Sequence, residues 1–193
     1  MTTTFSSYQR REQDDYPTPV EAVDVLFTKA NPYRITRDAW DPCCGKGENI
    51  LRAVRAHGIR ATGSDIIHGD DFIAKKFGPT KWDIVTNPPF GTQGRLALKF
   101  IEHSLARTER YSRKVMMLLP IDFDSGSTRR HVFGECPRFA HKIVLLNRVR
   151  IFNGQSGTTN HAWFIWAGLP IWNDWPTLSY ARIEYAEPPP KRN

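Results

Sequence analysis

Three short stretches of this 193-residue chain carry residue types suited to chemistry: DPCCGKGE at 41–48, SDIIHGDDF at 64–72 and DIVTNPPF at 83–90. The first has the form strand, G-x-G, helix. Gly45 and Gly47 let the backbone turn tightly and approach a ligand, and the helix beyond offers free N–H groups. Asp65 closes the next strand, where a carboxylate can accept from both hydroxyls of a ribose. In GDDF an acid can accept from the exocyclic amine of an adenine while Phe72 covers the ring. Asp70 and Asp71 both fit that role; Asp71 is preferred because it directly precedes Phe72. In chain order these groups describe a site for an adenosine whose 5′ substituent lies at the glycine loop. The loop carries Asp41 and no cluster of cations, which suits an amine-bearing, cationic tail better than a pyrophosphate. It is not a phosphate-binding P-loop, since no Ser or Thr follows Lys46, and it lacks the third glycine of the dinucleotide fingerprint.

The third stretch is the odd one. Ile84 and Val85 suit a buried strand, yet the strand ends in Asn87, Pro88, Pro89 and Phe90 rather than in a soft turn. Two prolines fix the backbone and remove N–H donors, so one amide and one ring are held rigidly at the strand end.

The elements that must position these stretches alternate along the chain. PVEAVDVLFTKA (19–30) places Val20, Val23 and Phe27 at helical spacing. DAWDP is a short strand, GENILRAVRAH (47–57) a helix, IRATGSDII a second strand and KWDIVTN a third. GRLALKFIEHSLART (94–108) is the clearest helix, with Leu96, Ala97, Phe100, Ile101 and Leu105 on one side. KVMMLLP is apolar throughout, as expected of a central parallel strand. HKIVLLN and HAWFIWAG follow with only a loop between them and can pair as an antiparallel hairpin. Such alternation, closed by a hairpin, predicts a doubly wound α/β domain. Ligands in such sheets bind beyond the carboxyl ends of the strands, where all three stretches fall. One domain is expected over 16–186, with a flexible segment at 1–15 and a flexible Pro-rich tail at 187–193.

Bulk properties narrow the partners. A formal net charge of +7 favours a polyanion, nucleic acid before membrane. Cys43, Cys44 and Cys136 include no CxxC pair, so neither a disulfide framework nor a zinc site is expected, and no other metal site is. A reducing, cytoplasmic setting suits free thiols. No apolar run reaches the length of a membrane span.

Taken together, DPCCGKGE, SDI, GDDF and DIVTNPPF resemble the ordered motif series of the class I S-adenosylmethionine-dependent methyltransferases. NPPF is similar to the branch that methylates exocyclic amines of nucleobases, and YPTP (16–19) resembles the segment that holds the methionine end of the cofactor in adenine-N6 DNA enzymes. The likeness runs from Tyr16 to Phe90 and more loosely to about residue 166. It implies a Rossmann-like sheet and S-adenosyl-L-methionine as cofactor. The cofactor would be held by Tyr16, Thr18 and Pro19, by Asp41, Cys43, Gly45 and Gly47, by Asp65 with Ile66, and by Asp71 with Phe72. It also implies that the Asn87 side-chain carbonyl and the Pro88 backbone carbonyl take the two N–H bonds of a target amine, that Pro89 stiffens the turn and that Phe90 stacks on the base. Only 16 residues separate Asp65 from Trp82, so the third strand of the family sheet is expected to be short or absent.

A separate target-recognition domain after the catalytic half is not expected, by resemblance to compact phage or orphan enzymes. Contacts to the nucleic-acid backbone are therefore expected from Arg129, Arg130 and His131 in one loop and Arg148 and Arg150 in the next, and the resemblance implies Phe152 as a second wall for a flipped base. His161, Trp163 and Trp166 read as packing residues. DNA adenine-N6 methylation is the first expectation. Methylation of an adenine or guanine amine in RNA, of a protein glutamine amide, and a non-enzymatic cofactor-fold protein are the alternatives.

Overall fold

The computed structural model describes residues 18–35, 37–75, 78–146, 160–168 and 182–186. Tyr16, Arg148, Arg150 and Phe152 lie outside them, as do the segments at 1–15 and 187–193. The elements are α1 (Val20–Thr28), β1 (Ala39–Asp41), α2 (Asn49–Ala56), β2 (Ala61–Gly63), β3 (Asp83–Thr86), α3 (Arg95–Glu109), β4 (Val115–Pro120), β5 (Phe139–Leu145), β6 (His161–Trp166) and β7 (Arg182–Ala186). They form one sheet in the order β2-β1-β3-β4-β6-β5-β7. The β2-β1-β3-β4 block and the β5-β7 pair are parallel, while β6 runs against both β4 and β5. The expected doubly wound, mainly parallel sheet with an antiparallel hairpin strand is what forms.

Strand β4 shows why the sheet is central. Met116 and Leu118 pack with Val23 and Leu26 of α1 and Leu51 and Val54 of α2. Val115, Met117 and Leu119 pack on the other face with Phe100 and Ile101 of α3. Alternate side chains thus face two different apolar layers, so the strand has no polar position at all. Strand β6 repeats the pattern. Trp163 joins the first layer and donates Nε1–H to the Ala22 carbonyl (2.6 Å), and Trp166 joins the second and donates to the Val132 carbonyl (2.6 Å). Both indoles are therefore packing groups with satisfied N–H bonds.

Some boundaries move for local reasons. The strand read over IRATGSDII stops at Gly63, because Asp65 accepts from the Ile67 N–H (3.1 Å) and starts a single 3-10 turn, Ile66–His68. Helix α2 begins at Asn49 rather than Gly47, because Glu48 takes a left-handed conformation (φ 45°). Val20 is exposed, at 41%; the inner face of α1 is Ala22, Val23, Val25 and Leu26. Between Gly63 and Asp83 the described residues contain no strand, which leaves three-residue β2 at the sheet edge. Strand β7, which the residue pattern did not suggest, closes the opposite edge beside β5.

Buried Arg138 secures the end of α3. Its guanidinium donates to the carbonyls of Leu105 (2.8 Å), Arg113 (2.7 Å) and Ala167 (2.8 Å) and to Thr108 Oγ1 (2.9 Å). On the other face His57 of the α2 terminus contacts Asp24 of α1 (2.7 Å) and stacks on Phe27 (3.8 Å between centroids). That contact fixes α1, and with it Thr18, against the sheet.

Candidate active site

The carboxyl ends of β1 and β3 meet through one buried network. Asp41, 2% exposed, accepts at Oδ1 from the Cys43 N–H (3.1 Å) and from the Thr86 hydroxyl (2.6 Å). The Cys43 thiol lies 2.8 Å from Thr86 Oγ1 and 3.4 Å from the Asn87 carbonyl. A chain of contacts thus runs from the glycine loop to the first residue of NPPF. Thr86 was not among the residues expected to act. Its signal in the sequence is a polar residue closing an otherwise buried strand, next to the motif.

Asn87 is oriented from the other side. Its Nδ2 donates to Oγ1 of buried Thr18 (3.2 Å), which leaves the amide oxygen to accept. Thr18, read as a cofactor contact, therefore also positions Asn87. Pro19 follows it as the residue before α1. Pro88 is buried, whereas Asn87, Pro89 and Phe90 are half-exposed. The Phe90 carbonyl accepts from Leu96 N–H (3.2 Å) and Ala97 N–H (3.4 Å), so the motif caps the start of α3. Reaching that geometry needs Gly91 at φ 65°, ψ −172°, where a Cβ would lie 2.8 Å from Leu96 Cβ. The Phe90 ring faces His161 at the start of β6, with centroids 6.2 Å apart and planes 23° apart.

The glycine loop is held down by Asp65. That side chain is fully buried; Oδ2 accepts from Gly45 N–H (2.8 Å) and Oδ1 from Ile67 N–H. In this arrangement Asp65 shapes the loop, and both its oxygens are engaged by backbone. Gly45 has φ 61°, a conformation that favours glycine, whereas Gly47 does not enter the left-handed region. The loop's electrostatics are negative. Burial pushes the Cys44 thiol up to about 12, with Asp41, Asp65 and Glu48 adding to the shift in that order.

Other expected residues lie apart. Asp71 accepts at Oδ1 from Ile73 N–H (2.9 Å) and Ala74 N–H (3.0 Å), while Asp70 pairs with Lys75. Ile66 is half-exposed beside Asp65. Phe72 differs most from expectation. It is 2% exposed and packs against Trp40 (5.4 Å) and Phe100 (5.1 Å), so its ring belongs to the core layer under α3. Arg129 is also engaged. It donates to the Phe123 carbonyl (2.7 Å) and the Gln93 carbonyl (2.9 Å), and its guanidinium lies 3.7 Å over the Phe123 ring. It braces the turn after NPPF. Arg130 is exposed, near Glu135 (3.6 Å), and His131 pairs with Glu102 (2.8 Å). Among the described residues no group of three or more His, Cys, Asp or Glu could hold a metal ion, and no helix is long and apolar enough to cross a membrane.

The fold is that of a Rossmann-like α/β domain with its polar cluster beyond the carboxyl ends of the parallel strands. Solved structures share it. One is a Listeria monocytogenes protein assigned to the class I S-adenosylmethionine-dependent methyltransferases, with a TM-score of 0.61, 14% identity, and alignment over 92% of this chain and 68% of that one. Another is a methyltransferase subunit of a type I restriction-modification system from Streptococcus thermophilus, with a TM-score of 0.55 and 16% identity. The match covers 81% of this chain but 46% of that subunit, so the chain spans less than half its length. No protein-family model matches the sequence, and no curated protein is significantly similar to it.

Proposed function

We propose that this protein is an S-adenosylmethionine-dependent methyltransferase that methylates the N6 amine of adenine in DNA. The observation that carries the reading is the join between its two halves: Asn87 sits within a continuous set of contacts that reaches Asp41 and the glycine loop.

The residues suit the cofactor by charge. Asp41, Asp65 and Glu48 lie close enough to the loop to add, after burial, to the upward shift of the Cys44 thiol. A site of that sign favours a sulfonium and an ammonium over a phosphate. Gly45 and the following loop would hold the cofactor's tail, Ile66 and the Asp71 turn its nucleoside, and Thr18 and Pro19 its far end. When bound, the cofactor supplies an activated methyl group on a positively charged sulfur. The chain's task is then to aim the amine. An amine on an aromatic ring is a weak nucleophile because its lone pair is delocalised. The Asn87 amide oxygen and the Pro88 carbonyl accept its two N–H bonds and favour a more tetrahedral nitrogen. The prolines hold both acceptors in place, and Phe90 stacks on the ring. Orientation and fixed acceptors supply the rate, and the proton leaves to water. The adenine reaches this pocket only when turned out of the duplex. DNA is preferred as acceptor from the +7 charge, the Asn87-centred amine site and the likeness of fold to a restriction-modification subunit.

Transfer of tritiated methyl groups from S-adenosylmethionine to duplex DNA, RNA and protein acceptors tests the reading, followed by nucleoside analysis. Label in N6-methyldeoxyadenosine is expected. Label only in RNA or in protein overturns the DNA assignment, and no label in any acceptor overturns the enzyme assignment.

A further inference from the structure

Five exposed cations gather at the opposite edge of the sheet. Arg60 precedes β2, Arg37 precedes β1, Lys81 precedes β3 and Arg110 follows α3 on the way to β4. The sheet order sets these turns side by side. Contacts link them into a belt. The Arg60 guanidinium lies 5.4 Å over the Trp82 ring. Lys81 Nζ and the Arg110 guanidinium lie 5.3 Å and 5.7 Å from the Tyr111 ring. Lys114 Nζ donates to the Arg34 carbonyl (3.0 Å) and reaches Asp83 (3.4 Å). Arg34, Arg37, Arg60, Lys81 and Arg110 are all exposed. Of the nearby carboxylates, Asp38 pairs with Arg60, buried Asp83 is engaged by Lys114, and exposed Glu109 directly precedes Arg110 at the end of α3.

Two features separate this belt from an ordinary solvated surface. Three of its cations rest on rings, which restricts long side chains that would otherwise lose rotamer freedom on binding. The belt also spans adjacent strands at about 4.8 Å spacing, hence roughly 14 Å in all, close to the ~12 Å between the phosphate rows that flank a major groove. An anionic bilayer fits less well. The described large apolar side chains that are exposed are Val20, Ile67, Leu146 and Ile183, none of which lies in the belt.

We propose that this amino-end belt is a second DNA surface, one that grips the sugar–phosphate backbone of a duplex without reading its sequence. The rings already carry cations on their faces, so they brace the guanidinium and ammonium groups rather than stack on bases. Strand β4 alone, with six residues, separates the two edges by about 20 Å. A duplex on the belt therefore does not occupy the cleft, and the protein can hold one segment of DNA while acting on another.

The test uses the full chain without cofactor and a mixed-sequence duplex, with fluorescence anisotropy read across a range of KCl concentrations. The triple variant Arg60→Gln, Lys81→Gln, Arg110→Gln keeps much of each aliphatic stem. It is expected to weaken binding at low salt at least tenfold and to flatten the slope of log K against log [KCl] by about 2–3 units, near 0.9 per lost phosphate contact. The pair Arg34→Gln, Arg37→Gln touches none of the ring contacts described above and gives an independent version, with an expected loss of about 1–2 units. A wild-type slope in both variants overturns the proposal. So does wild-type protein that binds phosphatidylserine vesicles but no duplex. Methyl transfer is not read in this assay, so failure of the enzymatic reading and failure of the belt are separate results.

Discussion

At the carboxyl ends of β1 and β3 the polar groups are bonded to one another around buried Asp41 and Thr86; at the amino-end edge of the same sheet exposed cations lie over aromatic rings. Asp41, Thr86, Cys43 and Asn87 hold one another within 3.4 Å, whereas Lys81, Arg110 and Arg60, the last also paired with Asp38, stand 5.3–5.7 Å from ring centres on an exposed face. The contrast matches the two ligands proposed for these edges. A small cation is held by a few acceptors fixed in advance and shielded from solvent, where a fixed charge acts most strongly. A polyanion is held by many cations acting at longer range, and salt screens each of them. One sheet therefore presents two kinds of electrostatic surface, and substitutions at each edge should fail in different ways.

The largest expected effect is at the carboxyl edge. Asn87→Ala should lower methyl transfer to DNA at least 100-fold, about 2.7 kcal/mol or more, while calorimetric affinity for S-adenosylmethionine stays near wild type. Lys81→Gln at the amino edge should leave kcat on a saturating short duplex unchanged. Loss of kcat in Lys81→Gln, or full transfer by Asn87→Ala, would erase the division between the edges.

Glycines sharpen the same contrast in stability. Gly91→Ala places a side chain in a backbone region nearly reserved for glycine and drives it into Leu96. It should cost about 3 kcal/mol, the upper end for such strain, in urea denaturation. Gly58, near the amino edge, also has positive φ (76°), but nothing lies within 4 Å of the added Cβ. Gly58→Ala should cost only about 1 kcal/mol, the left-handed penalty alone. Equal costs would mean that the turn after NPPF is not held by its packing.

Thr86→Val removes the hydroxyl that bridges Asp41 and Cys43 without changing the shape of the strand end. It should cost about 1–3 kcal/mol for the lost charge-assisted bond to a buried carboxylate, and Thr86→Ser should restore most of it. An unchanged midpoint in Thr86→Val would show that the two motifs are not coupled through this residue.

How much of this was legible in the sequence depends on whether a residue's partners are near it in the chain. NPPF and the glycine loop were legible because each is a contiguous strand-end segment whose residue types are restricted by backbone geometry. The sheet was legible from apolar runs such as VMMLLP. Phe72 was not, because an aromatic after an acid can cover a ligand or fill a core, and the choice is made by Trp40 and Phe100, remote in sequence. Arg129 reads as a loop cation until Gln93 and Phe123 offer their carbonyls. Thr86 was passed over because a strand-end threonine is ordinary until Asp41 faces it. Strand β7 escaped because its pairing with β5 is set by register along a distant edge, not by any pattern of its own.

The smallest effect reads the sign of the carboxyl edge directly. A thiol titrates near 9.0 when unperturbed, and in the folded protein Cys44 is pushed up to about 12 by burial first and by Asp41, Asp65 and Glu48 after it. The folded state therefore keeps a proton that the unfolded chain releases. The stability this contributes is whole below about pH 9 and is lost as pH rises toward 12. Denaturation midpoints of wild type and Cys44→Ala should accordingly run parallel up to about pH 9 and converge or cross above it, with the mutant curve the flatter of the two. Glu48→Gln removes one of the carboxylates acting on the folded-state thiol and should lower the upper end of that loss, near pH 12, only slightly, because burial is the larger cause and persists; the onset near pH 9 belongs to the unfolded chain and stays in place. Lys81→Gln, at the other edge, should not move that upper end at all, since exposed charges beyond a Debye length of about 10 Å are screened. If Lys81→Gln shifts that upper end as far as Glu48→Gln does, the field at the glycine loop is set by the net charge of the whole chain, and the carboxyl edge has no sign of its own.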